Sequence, residues 1–151
     1  MAESMRIKLD TRSLDAQLDN ITEKAEEFVR PAAQAGAAVL YGEVRLRVPV
    51  GDKPHVFYGT HQKYRFPAGT LRDSIYQVFS RDNSWDGHAT YHVAWNHQRA
   101  PYGFMVEYGT SRAPAHPFLR PAYDAAKDLS LIVANDTFAA LMEGAISGVR
   151  R

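Results

Sequence analysis

The 151-residue chain has no cysteine. That excludes a disulfide framework, a thiolate metal site and a cysteine nucleophile, and with them the small extracellular scaffold stapled by bridges. It has little excess charge of either sign, with 18 Lys and Arg against 17 Asp and Glu for a net +1. A dedicated nucleic-acid binder is more basic, so any contact with DNA or an anionic membrane has to come from a local patch. No apolar run approaches the roughly 18 residues of a membrane-spanning helix, and Met1 to Arg6 has none of a signal peptide's apolar stretch. The expectation is a soluble protein made in a cytosol, with no membrane partner. Phosphate-binding loops of the Gly-x-x-x-x-Gly-Lys-Ser/Thr or Gly-x-Gly-x-x-Gly type are missing, as is a Gly-x-Ser-x-Gly elbow.

What is present suits one folded domain over residues 1–151. The chain is 45% hydrophobic and 11% aromatic, enough apolar area to bury and too little net charge to keep it unfolded. Most aromatics fall between Tyr41 and Tyr123. Arg6 to Leu9 alternates polar and apolar, as a short edge strand does. Leu14, Leu18, Ile21, Ala25 and Phe28 then step by four and three, one stripe of an amphipathic helix with Ser13 as its N-cap. Pro31 predicts a break or kink and a second helical segment, Ala32 to Leu46, crowded with small residues for close packing and ended by Pro49.

Gly51 to Gly69 reads as a long loop rich in turn formers, carrying Phe57, Tyr58, Tyr64 and Phe66 beside Lys53, Lys63 and Arg65. Ile75 to Ser80 and Ala89 to Trp95 read as antiparallel strands joined by a turn over Asp82 to Gly87, with Tyr91, Val93 and Trp95 on one face. Ala100 to Gly109 is a short helix with Pro101 near its start and Gly109 past its end, and Thr110 to Pro117 is extended. Pro121 opens a long helix that Asn135-Asp136-Thr137 can interrupt, and residues 144–151 form a flexible basic tail.

No constellation concentrates chemistry. His88 and His92 have the i, i+4 spacing of zinc ligands on a helix, but they lie on a strand. There the side chains are about 13 Å apart at ~3.3 Å per residue, too far for one ion, so they read as histidines of a wet face. Ser74 or Ser111 with Asp73 or Glu107 and a histidine would make a hydrolase triad, yet neither serine sits on a nucleophile turn. No catalytic residue, metal or cofactor is expected.

Three segments in order carry a resemblance. The first is Arg45-Leu46-Arg47-Val48-Pro49-Val50, resumed at Ala68-Gly69-Thr70-Leu71-Arg72-Asp73-Ser74-Ile75. The second is Tyr102-Gly103-Phe104-Met105-Val106-Glu107-Tyr108-Gly109-Thr110, and the third Ala115-His116-Pro117-Phe118-Leu119-Arg120-Pro121-Ala122. Over Ala32 to Ala126 the chain resembles a family of tailed-phage tail-completion or neck proteins named after the tenth gene product of a lambdoid phage. Its pattern runs "Pro-Val, Thr-Gly-x-Leu-Arg-x-Ser-Ile", "Tyr-x-x-x-Val-Glu-Phe/Tyr-Gly-Thr" and "Gln-Pro-Phe-Leu-Arg-Pro-Ala". Here Gly51 to Pro67 is inserted within the first pattern, between Pro49-Val50 and Gly69-Thr70-Leu71-Arg72, Ala68-Gly69-Thr70 stands in place of Thr-Gly, and His116 replaces the common Gln.

The combined expectation is an α+β subunit. N-terminal helical segments and a long C-terminal helix pack on a small antiparallel β-sheet, with 51–69 as an inserted loop. The resemblance implies a structural virion protein at the head–tail junction, a ring of its own copies, hexameric or else dodecameric, touching the tail terminator and head-closure proteins. DNA would pass through its lumen without sequence-specific contact. Candidate interface residues are Phe57, Tyr58, Tyr64, Arg65, Phe66, Arg72, Glu107, Tyr108, Phe118 and Arg120. Phe118 is also a natural core anchor, and Arg72 and Arg120 suit two-pronged pairing with Glu107 or a neighbouring subunit. A nucleic-acid-binding module using the basic, aromatic loop 53–66 is the alternative function.

Overall fold

The computed structural model describes residues 10–58 and 63–149. The expected strand at Arg6 to Leu9 and the last two residues of the chain lie outside that range. Element order is α1 (Arg12–Arg47), β1 (His55–Tyr58), β2 (Lys63–Phe66), α2 (Thr70–Asp73), β3 (Ile75–Phe79), β4 (Tyr91–Trp95), α3 (Gly103–Tyr108) and α4 (Leu119–Val149). This is the expected α+β class, although its strands form two separate antiparallel pairs, β1–β2 and β3–β4.

The N-terminal helical segments are one helix. α1 runs 36 residues through Pro31, roughly 54 Å at 1.5 Å per residue. Pro31 removes one backbone donor, but it stands on the exposed side, and α4 holds α1 on both sides of it. Tertiary packing outweighs a local cost of about 3 kcal/mol. The helix begins one residue before Ser13, with Asp10 accepting the Arg12 N–H at 3.1 Å. Val48 closes the other end through Val44 at 3.0 Å.

α4 lies antiparallel to α1. The Ser130 hydroxyl donates to the Gly36 carbonyl at 2.8 Å, and Ile21 faces Met142 and Ala145 toward the other end. Small residues make this seam possible: Ala32, Gly36 and Ala37 are buried on α1, Ala122 and Ala126 on α4. A Cβ at position 36 would come within 2.8 Å of the Ser130 carbonyl oxygen. The small-residue tract is thus used inside the subunit. Ile21, Ala25 and Phe28 face the seam half-buried, while Leu14 and Leu18 stay exposed.

α4 starts at Leu119, two residues before Pro121, and Asn135-Asp136-Thr137 do not interrupt it. It continues to Val149, so residues 144–149 are helix where a flexible tail was expected. It also corrects the expectation on apolar runs. Within Leu119–Gly148 an 18-residue stretch reaches a mean hydropathy of 1.3, long and apolar enough to cross a membrane.

The β3–β4 hairpin packs on α1, with Gln77 Nε2 donating to the Gln34 carbonyl at 3.1 Å and the Arg30 guanidinium 4.4 Å from the centre of the Phe79 ring. Its register pairs Ile75 with Trp95 and Phe79 with Tyr91. The core gathers where the sheet meets the α1–α4 seam: Val44, Val48, Leu71, Ile75, Trp95, Ala100, Phe118 and Ala122. The inserted segment is not an irregular loop throughout. Residues 55–58 and 63–66 form a hairpin whose register pairs His55 with Phe66 and Tyr58 with Lys63.

Candidate functional site

The second and third sequence motifs meet in one joint. α3 ends on Gly109, whose φ of 75° favours glycine. The segment after it is not extended from Thr110 as expected: Ser111 and Arg112 form a tight turn closed by the Thr110 N–H donating to the Ala113 carbonyl at 2.9 Å. The chain is then held back on α3 by the His116 N–H donating to the Val106 carbonyl at 2.8 Å. That brings α4's first turn over Glu107. The buried carboxylate accepts backbone N–H bonds from Phe118 at 2.7 Å, Leu119 at 3.1 Å and Arg120 at 3.3 Å. A helix start leaves such donors unsatisfied and carries partial positive charge, so one carboxylate caps three of them. The expected pairing of Glu107 with Arg72 or Arg120 gives way to this cap, because the buried carboxylate is turned onto the backbone donors of α4's start. Arg72 pairs instead with Asp73 at 3.1 Å, and the Arg120 side chain is exposed.

Phe118, the next residue along, is 0% exposed and meets Trp95 edge-on, ring centres 5.9 Å apart. It is the core anchor the sequence suggested. As an interface residue it offers no surface. Trp95 packs against Gly103 so tightly that a Cβ there would overlap the indole, whose Nε1 has no acceptor among the described residues. Tyr108 is exposed and meets Phe104 at a tilt, ring centres 4.6 Å apart, beside an open concavity formed with Arg47, Arg120 and Asp124.

The hairpin forms a second cluster. On its inward face His55 and Phe66 contact Tyr102, with ring centres 4.2 and 4.9 Å away, and Tyr64 stacks on Phe66 at 6.5 Å. Burial pushes the Tyr102 phenol above its ordinary pKa, partly offset by hydrogen bonds to Leu71 and Thr70. Below it lies an apolar groove of about 450 Å³ that includes Leu71, Met105, Val106 and Pro114. The outward face carries Val56, Tyr58, Lys63 and Arg65 by register. Tyr58 is 74% exposed, with the Lys63 ammonium 5.4 Å from its ring centre. Phe57 lies on β1 opposite Tyr64.

The residues weighed for catalysis are occupied or apart. Ser74 is buried and donates its hydroxyl to the Leu71 carbonyl at 2.7 Å, Glu107 is the helix cap, and Ser111 is exposed. His88, His92 and His97 are exposed, and His88 stacks on Trp85 at 4.1 Å. Among the described residues, no group of three or more His, Asp or Glu is placed to hold a metal. Two surface features were missed in the sequence. One is this Trp85–His88 pair beside Glu23, Glu26 and Glu27. The other is the outer side of α4, where Leu129 and Ile132 are exposed, while Leu131 faces the flank beside α1 and Tyr91.

No curated protein and no solved structure matches this chain. A family model does match, over residues 12–109, the one described as Bacteriophage HK97-gp10, putative tail-component. The match takes in α1, both hairpins and the capping residue Glu107, and ends at Gly109, before the third motif. It covers well over half of the chain, and the protein therefore belongs to the HK97 gp10-like family of bacteriophage tail components.

Proposed function

We propose that this protein is a structural subunit of the phage neck, assembling into a ring of its own copies that completes the tail and joins it to the DNA-filled head. The family match supports a virion role. The observation that carries the ring is on α4: Leu129 and Ile132 are each 54% exposed on the side of the helix turned away from α1. Adjacent large apolar side chains left in water mark a contact surface, and nothing among the described residues covers this side. Sixfold symmetry of the tail favours a hexamer, with twelve copies as the alternative. The tail terminator and the head-closure protein are the expected neighbours, and DNA passes through the lumen without base-specific contact. Lys53, Lys63 and Arg65 give the 53–66 segment too small a basic footprint for a dedicated nucleic-acid module.

Deletion of the gene tests this reading. Filled heads and finished tails should accumulate unjoined, and purified protein should appear as rings in negative stain. Normal numbers of joined, infectious particles without the gene would end it.

A further inference from the structure

The outer side of α4 and the outer side of the hairpin are complementary. Ala125, Leu129, Ile132, Asp136, Ala139, Glu143 and Ile146 step by four and three along α4, so they form one stripe of the helix, facing away from the residues that meet α1. Along that stripe Leu129, Ile132 and Ile146 are exposed. Asp128, Asp136 and Glu143 are exposed with them, and none has an ion pair among the described residues. The hairpin's outward face is the converse: Val56 and Tyr58 supply apolar area, and Lys63 and Arg65 are exposed cations, again without a carboxylate partner among the described residues. Within one chain β1 and β2 make no substantial contact with α4.

We infer that the outward face of the β1–β2 hairpin of one copy docks on the outer stripe of α4 of the next copy. The inference rests on the ring reading, which requires two different surfaces that meet head to tail. Opposite charges set the register: Lys63 and Arg65 meet Asp128 and Asp136, while Tyr58 covers Ile132. The carboxylates also turn the stripe away from a bilayer, where a charge along an apolar helix is costly. The inserted segment thereby has a task, since it reaches beyond its own subunit.

A chain without cysteine makes the test clean. Tyr58→Cys and Ile132→Cys are placed in separate chains, mixed and oxidised. The mixture should give a disulfide-linked dimer well above either variant alone, and a chain with both changes should give a ladder of linked oligomers. Oligomers that form without such links, or a double variant that links only within one chain, overturn the docking and leave the ring standing. A wild-type chain that stays monomeric at every concentration overturns both.

Charge reversal is the second arm. Lys63→Glu with Arg65→Glu should weaken association about tenfold, as should Asp128→Lys with Asp136→Lys, and the combination should restore it. Circular dichroism should show unchanged folding, because all four side chains are exposed. Hairpin reversal that spares association but abolishes retention of duplex DNA at low salt overturns the proposal. So does binding of the wild-type chain to anionic lipid vesicles that Ile132→Ser abolishes.

Discussion

α1 and α4 share one seam and differ on their far sides. Both are long, 36 and 31 residues, and both contribute small side chains to the contact. α1 then turns Glu23, Glu26, Glu27 and Arg30 to water, whereas α4 exposes Leu129 and Ile132. A far side of charges needs no partner, while a far side of leucine and isoleucine leaves apolar area in water at about 25 cal/mol per Å². Exposed large apolar side chains on α1 are confined to Leu14, Leu18 and Leu46 near its ends, whereas on α4 they stand in the middle of the helix, where a partner can cover them.

Changes inside and outside the seam can break that comparison. The largest effect is expected where α4 is anchored: Phe118→Ala should destabilise the monomer by about 3–5 kcal/mol, read as a fall in the urea midpoint. Gly36→Ala comes next. Its new methyl meets the Ser130 backbone, so the two helices must part at a cost of about 1–3 kcal/mol by thermal melting. Glu107→Ala leaves three N–H groups at α4's start without their acceptor, which should cost about 1–2 kcal/mol and speed hydrogen exchange in that turn first. Ile132→Ser should change monomer stability by less than about 0.5 kcal/mol, yet abolish the oligomer seen by native mass measurement. A loss of monomer stability as large as that of Gly36→Ala would show that both sides of α4 serve the subunit alone.

What could be read in the sequence follows how local each signal is. The β3–β4 hairpin, the end of α3 and the opening of α4 obey rules that act within a few residues: alternation, glycine past the end and proline in the first turn. α3, however, begins only at Gly103 and leaves Pro101 in the turn before it. Pro31 misleads because its penalty is local and its compensation comes from a helix about a hundred residues later. The β1–β2 hairpin escaped notice because its strands are short and interleave His, Lys and Arg with aromatics. Glu107 sits in a legible motif, but its task depends on α4's first turn, eleven residues further along the chain and brought over it by the segment between. The outer stripe of α4 was hidden by its own hydrophobicity, since apolar spacing does not distinguish a side covered by the same chain from one awaiting another.

The Glu107 cap has a mechanical consequence. A helix entering on a flexible linker can swivel, and load on it is lost as slack. Here one buried carboxylate ties the first turn of α4 to α3, which is wedged against Trp95 of the sheet. The junction is a stiff elbow. A push along α4 is delivered to the sheet, and through Gln34 and Phe79 to α1, with no free hinge among the described residues in between.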